Sequence, residues 1–170
     1  MTESPDLPWA KRLDGRIKNK RVVKPSESAR IYSEFLISKK MHHKKLLEIG
    51  CGNSEDSIYF SNLFELHLID KKEEPIKDLD LHGIKTFCAN IFEFWLFEDN
   101  YFDAIFDKYC FGTETDESKK EFYKAELFRC LVDGGFYFVV LNEYKKEDFD
   151  FLKLVKEEKI NGKYNLIFRK

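Results

Sequence analysis

A chain of 170 residues, 43% hydrophobic and 35% charged, can bury one sizeable core and hardly two. Its formal net charge of -2 excludes a uniformly basic nucleic-acid binder. The cysteines, Cys51, Cys88, Cys110 and Cys130, lie far apart without a C-x-x-C pair, which speaks against a zinc site or a redox dithiol and suits reduced thiols in a cytoplasmic protein.

Residues 1 to about 25 hold three of the four prolines and little periodicity, so they read as a partly irregular arm before a single domain spanning 26–170. The arm is basic at Lys11, Arg12, Arg16, Lys18, Lys20, Arg21 and Lys24, but Trp9 is its one aromatic residue. That favours a solvated arm over an RNA-stacking platform, so a nucleic-acid partner is not the favoured reading. The polar opening lacks the apolar core of a secretory signal, and no apolar run approaches membrane-spanning length. A soluble, cytoplasmic protein without a membrane partner is expected.

Ser26, after Pro25, is placed to cap a helix running toward Lys39, with Ile31, Phe35 and Leu36 at helical spacing. Short apolar, β-rich runs then predict strands over Leu46 to Gly50, Leu66 to Asp70, Ile84 to Ala89, Phe102 to Asp107 and Phe136 to Leu141. Between them, helices are predicted over Asp56 to Phe64, Pro75 to Leu81 and Asp116 to Val132. The last has Thr115 as its cap, an apolar stripe of Phe122, Leu127, Phe128 and Leu131, and Gly134 and Gly135 as its stop. Lys146 to about Leu154 is a further helical candidate, and Asn161-Gly162 favours a closing hairpin whose second strand is Tyr164 to Phe168; one long helix before a lone last strand is the alternative. The alternation implies an α/β fold, a doubly wound, mostly parallel sheet with an antiparallel C-terminal strand or hairpin.

In such a sheet, ligands sit beyond the C-terminal strand ends where strand order reverses. The first strand ends in "EIGCGNSED", so Gly50, Cys51 and Gly52 would floor that crevice. A dinucleotide pyrophosphate wants a third glycine where this chain has Glu55, and Asp56 adds negative charge; no G-K-S/T follows to make a P-loop. An adenosine ligand with a cationic centre and no phosphate tolerates this acidity, and S-adenosylmethionine has that description. Asp70, at the end of the second strand, can take both ribose hydroxyls, and Glu48 is a second carboxylate available to the methionine ammonium. A carboxylate inside an apolar strand calls for a partner or a ligand.

"LLEIGCGNSEDSIYF" resembles the first motif of the class I S-adenosylmethionine-dependent methyltransferases, and "LHLIDKK" the acidic end of their second strand. "TFCANIFEF", "YFDAIFDKYCFG" and "LFRCLVDGGFYFVVL" are similar to later segments of the same family, in the right order over residues 26–144. The resemblance implies a Rossmann-like methyltransferase fold with S-adenosylmethionine as cofactor. It implies that Glu48, Gly50, Cys51 and Gly52 line the methionine side, that Asp70, followed by Lys71, holds the ribose, and that Asn90 and Ile91 meet the adenine. Asp107, Lys108 and Tyr109 would face the sulfonium and the nucleophile, with Asp107 and Tyr109 as the catalytic candidates and Asp107 also touching cofactor. The chain departs from the pattern at Ser54, the third small residue of the first motif, and at Asn90, where aspartate is common.

No "NPPY" or "DPPY" loop follows the fourth strand, so base and glutamine amines lose ground to a small-molecule or protein substrate. The substrate pocket is expected under the arm, the Cys110 to Thr115 loop and Asn142 to Glu147. His42 and His43 read as solvated, and Cys51 as a packed residue rather than a nucleophile. Two rivals remain: a catalytically silent methyltransferase-like binding or scaffold protein, and an NAD-dependent oxidoreductase, against which Glu55 stands.

Overall fold

The computed structural model describes residues 23–52, 55–80 and 84–170. The expected arm lies outside them apart from Val23 to Pro25, as does Ser54 in the glycine turn.

Helix α1 (Glu27–Ser38) starts where predicted, the Ser26 hydroxyl accepting from the Ala29 amide at 3.2 Å. Its buried face is Ala29, Tyr32, Ser33 and Leu36, the i, i+3, i+4, i+7 stripe of a half-buried helix. The chain continues through β1 (Lys45–Ile49), α2 (Glu55–Ser61), β2 (Glu65–Asp70), α3 (Glu73–Asp80), β3 (Lys85–Cys88) and β4 (Phe102–Lys108). A one-turn α4 (Cys110–Thr113), α5 (Glu117–Cys130), β5 (Leu131–Leu141), a 3-10 turn (Lys146–Phe149), β6 (Lys153–Ile160) and β7 (Lys163–Arg169) complete it.

The seven strands form one sheet in the order β3-β2-β1-β4-β5-β7-β6. The β3, β2, β1, β4 and β5 contacts are parallel, and β7 joins β5 and β6 antiparallel. Alternate residues of each inner strand serve opposite faces. Ile105, Tyr137 and Val139 join the core under α5, while Ala104, Phe106, Phe136 and Phe138 join the core under α1 and α2. Because β1 lies between β2 and β4, the strand order reverses beside it, and the crevice at the ends of β1 and β4 is where a doubly wound sheet takes a ligand.

Four local expectations are corrected. Helix α5 is capped by Asp116, which accepts from the Ser118 amide at 2.9 Å, rather than by Thr115. Its buried face is Tyr123, Leu127 and Cys130, with Phe128 exposed. It ends at Cys130 because Leu131 already pairs with Phe102, so Gly134 and Gly135 lie inside β5 instead of stopping the helix. They occupy an irregular stretch between the Phe102 and Ala104 pairings, where a side chain on Gly135 would meet the Val132 and Asp103 carbonyl oxygens at 2.9 and 3.0 Å. The helix expected over Lys146 to Leu154 shrinks to the 3-10 turn: Phe149 buries itself against Phe111, Tyr137 and Phe168, and from Lys153 on the backbone pairs with β7. The closing hairpin is present, turning at Asn161 and Gly162, both at positive φ.

Candidate functional site

A cleft of about 540 Å³ opens at the C-terminal ends of β1, β2 and β4. Gly50, Cys51 and Gly52 form its floor, and Glu48, Asp70 and Lys71 line it. Asn90, Ile91 and Tyr109 line it as well; Asp107 does not. Sequence reasoning therefore brings all but one of its candidates to one place.

Gly50 has φ +76, and an added Cβ would stand 2.6 Å from Cys110 Sγ, so the turn and the post-β4 loop touch across a bare backbone. Asp70 ties the turn to the end of β2. Its Oδ2 accepts from the Cys51 amide at 3.0 Å and the Cys51 thiol at 3.4 Å, and its Oδ1 from the Lys72 amide at 2.8 Å. With two lone pairs on each oxygen, Oδ2 is filled by its two donors and Oδ1 keeps one acceptor position free. Burial, then the Asp70 charge and hydrogen bond, push the Cys51 thiol up to about 12. It stays protonated, as its reading as a packed residue expected.

Glu48 is 1% exposed, and its Oε2 has no hydrogen-bond partner among the described residues. Burial pushes its carboxyl up to about 8; Ser57 and Lys108 pull against the rise and Asp56 and Asp70 add to it. The Ser57 hydroxyl is near enough to act on that carboxyl, yet neither Ser57 Oγ nor Glu48 Oε2 makes a hydrogen bond of ordinary geometry. A buried carboxyl that faces a cleft with an oxygen lacking a hydrogen-bond partner is costly by itself and suited to a cationic guest.

Next to it, Lys108 Nζ donates to Asp56 Oδ2 at 2.7 Å. Asp56 also accepts from the Ser26 amide at 2.6 Å and the Ser26 hydroxyl at 2.7 Å, fastening the start of α1 to the cleft wall. Sequence reading took Asp56 only as local negative charge. Its link to Ser26 joins positions thirty residues apart, for which the sequence carries no periodic signal.

After β3, Asn90 Oδ1 accepts from the Phe92 amide at 3.1 Å and Nδ2 donates to Glu93 at 2.8 Å, an Asx turn that presents Ile91 and Phe92 to the cleft. His42 and His43 are exposed and lie off the cleft.

Asp107 points away from the cleft and is fully buried. Its carboxylate accepts from the Cys110 amide at 2.7 Å, the Phe111 amide at 2.9 Å and the Tyr123 hydroxyl at 2.7 Å, and Tyr123 meets Tyr137 at 3.1 Å. Burial pushes this carboxyl up to about 6 against those three donors. The carboxylate caps α4 from inside and leaves Tyr109 in the left-handed region at φ +79, a conformation that a tyrosine adopts only when its surroundings impose it. The expectation that Asp107 faces the reacting atoms is thus not met by its placement. Tyr123, the partner that fixes it, was missed; its signal was the i, i+4, i+7 spacing with Leu127 and Cys130.

Among the described residues no cluster of His, Cys, Asp and Glu could hold a metal ion, and no helix is long and apolar enough to cross a membrane.

The family model described as methyltransferase domain matches residues 47–139, more than half of the chain. No curated protein matches the sequence. Among solved structures, the chain is similar to Burkholderia thailandensis 1,6-didemethyltoxoflavin-N1-methyltransferase bound to 1,6-didemethyltoxoflavin and S-adenosylhomocysteine, with a TM-score of 0.71 at 14% identity, over 85% of this chain and 78% of that one. It is also similar to the N-methyltransferase NodS from Bradyrhizobium japonicum in complex with S-adenosylhomocysteine, with a TM-score of 0.71 at 15% identity, over 94% and 97% of the two chains. A SAM-dependent methyltransferase from Aquifex aeolicus matches with a TM-score of 0.63 at 12% identity, over 94% and 97%.

Proposed function

The chain belongs to the methyltransferase-domain family, and from that premise we propose that it transfers a methyl group from S-adenosylmethionine to a small molecule or a protein side chain. The observation that carries this reading is the unpartnered Glu48 carboxyl in the wall of a cleft whose opposite end holds Asp70. The donor set fits a zwitterionic amino-acid head joined to an adenosine. Glu48 meets the ammonium, Lys108 the carboxylate, Asp70 a ribose hydroxyl, and Ile91 with Phe92 the adenine plane. A dinucleotide pyrophosphate would lie beside Asp56 and would give the Glu48 carboxyl no cation to pair with.

When bound, the sulfonium supplies an activated methyl group: the acceptor lone pair forms the new bond as the carbon–sulfur bond breaks, and that electron pair neutralises the sulfur. The protein's part is orientation and exclusion of water. The bare backbone at Gly50 lets the donor approach β1, and the Asp107 clamp sets the loop that carries Tyr109 and Cys110 over it. Tyr109 lines the cleft and is placed to orient an incoming amine or hydroxyl; Asp107 acts through the loop, as a positioning residue.

Calorimetric titration with S-adenosylmethionine, S-adenosylhomocysteine and NAD tests the proposal. Micromolar binding of the first two with none of the third is expected. Binding of NAD alone would return the oxidoreductase reading, and silence from all three would leave a methyltransferase-like scaffold. Asp70→Ala should weaken S-adenosylhomocysteine by about 2 kcal/mol, roughly thirtyfold, since each hydrogen bond to a charged group contributes about 1.5 to 3 kcal/mol. Equal affinity in the variant would remove Asp70 from the site.

A further inference from the structure

Beside Tyr109, in the cleft wall, stands a cation that makes no ion pair among the described residues. Lys163 opens β7, which runs antiparallel to β5 with Tyr164 opposite Leu141, so Lys163 sits at the same end of the sheet as the cleft. Alternation along β7 puts Lys163 and Asn165 on one face and Tyr164 on the other. Asn165 accepts from the Ser28 hydroxyl of α1 at 2.7 Å, and Lys163 Nζ stands 4.4 Å from the centre of the Tyr109 ring. Among the described residues Lys163 has no ion-pair partner.

Asp56 of α2 and Glu158 of β6, which lies opposite Asn165, pair with other cations, Lys108 and Lys156. Asp56 already accepts from Lys108 and twice from Ser26. Glu27, in the first turn of α1, lines the separate groove between α1 and β6. Glu147 and Glu157 act on Tyr144, which packs with the core on the opposite face of the sheet. The half-buried Lys163 rests its ammonium on an aromatic face and has no anion beside it among the described residues.

We propose that Tyr109 and Lys163 together form the acceptor-recognition site, and that it selects an acceptor carrying an anionic group, a carboxylate or a phosphate, beside the atom to be methylated. The assignment as an acceptor site rests on the methyl-transfer reading. Lys163 then pairs with that anion while the Tyr109 ring holds the lysine in place and packs against the acceptor, whose nucleophile is left facing the methyl end of the cleft.

The test uses the full chain saturated with S-adenosylhomocysteine, its binding first measured by calorimetry, then titrated in separate arms with inorganic phosphate and with acetate while amide shifts are followed by NMR. At least one anion is expected to shift the Tyr109 and Lys163 amides with a millimolar constant, and the tighter of the two identifies the anionic group. Lys163→Met should weaken that binding at least fivefold, and Lys163→Arg should keep it within twofold. S-adenosylhomocysteine bound with neither anion shifting those amides, or with Lys163→Met responding as the wild type does, overturns the proposal. Failure of S-adenosylhomocysteine to bind is a failure of the methyl-transfer reading, and it takes the acceptor assignment with it even where the anions still shift Lys163.

Discussion

Asp107→Ala should cost about 3 to 5 kcal/mol of stability, because it strips a buried acceptor from the Cys110 and Phe111 amides and the Tyr123 hydroxyl at once. Tyr123→Phe removes one of those donors and leaves the carboxylate its two amides, so it should cost about 1 kcal/mol. Denaturant unfolding of the two variants reads the difference. A third variant separates positioning from contact with cofactor. In Asp107→Asn, which keeps the shape and loses the charge, S-adenosylhomocysteine affinity should change by less than threefold, while the Tyr109 and Cys110 amide shifts move as the loop relaxes from its left-handed turn. A loss of cofactor affinity with unmoved loop shifts would return Asp107 to the cofactor site.

Glu48→Gln should stabilise the unliganded protein at pH 7 by about 2 to 3 kcal/mol while weakening S-adenosylhomocysteine at least a hundredfold. The first effect follows from linkage. The folded carboxyl holds its proton up to about 8 against a reference value of 4.5, so the folded state binds more protons over that interval. Its contribution is complete below pH 4.5 and is lost as pH rises through 8, at about 1.4 kcal/mol per unit. The stability difference between variant and wild type should accordingly be small at pH 4.5, grow toward pH 8 and then level off. The second effect is the loss of the charge that a ligand ammonium would call out. Binding to the wild type should release a proton, and affinity should rise with pH between 6 and 7.5 by up to tenfold per unit, whereas the variant shows no such slope. Calorimetry in two buffers of different ionisation enthalpy counts the proton. A variant that binds as tightly as the wild type, or is less stable than it, would remove Glu48 from the ammonium site.

These two residues show how far a sequence pattern can place a side chain. Glu48 was legible because a carboxylate in the apolar run "LLEI" conflicts with its local pattern, and such conflicts concentrate at ligand sites. Asp107 looked equivalent: an acid at a strand end, in the right segment. What separates them is the direction each side chain takes, Glu48 toward the cleft and Asp107 under α5 toward Tyr123, and that depends on packing against elements distant in the chain.

The sequence by itself determined the strand and helix alternation, the glycine turn at Gly50 to Gly52, the acid at Asp70 and the closing turn at Asn161-Gly162, because each is local: a hydrophobic period, a conformational need for glycine, or a spacing along one chain segment. Only the tertiary structure decided that Gly134 and Gly135 belong to a strand, that Lys146 to Leu154 makes one 3-10 turn and enters a strand at Lys153, that Asp56 fastens Ser26 and Lys108, and that Lys163 arrives over Tyr109 from fifty-four positions further along the chain. Backbone pairing in a seven-stranded sheet outweighs the weak local preferences of those segments, and side-chain contacts across the sheet leave no period in the sequence to read.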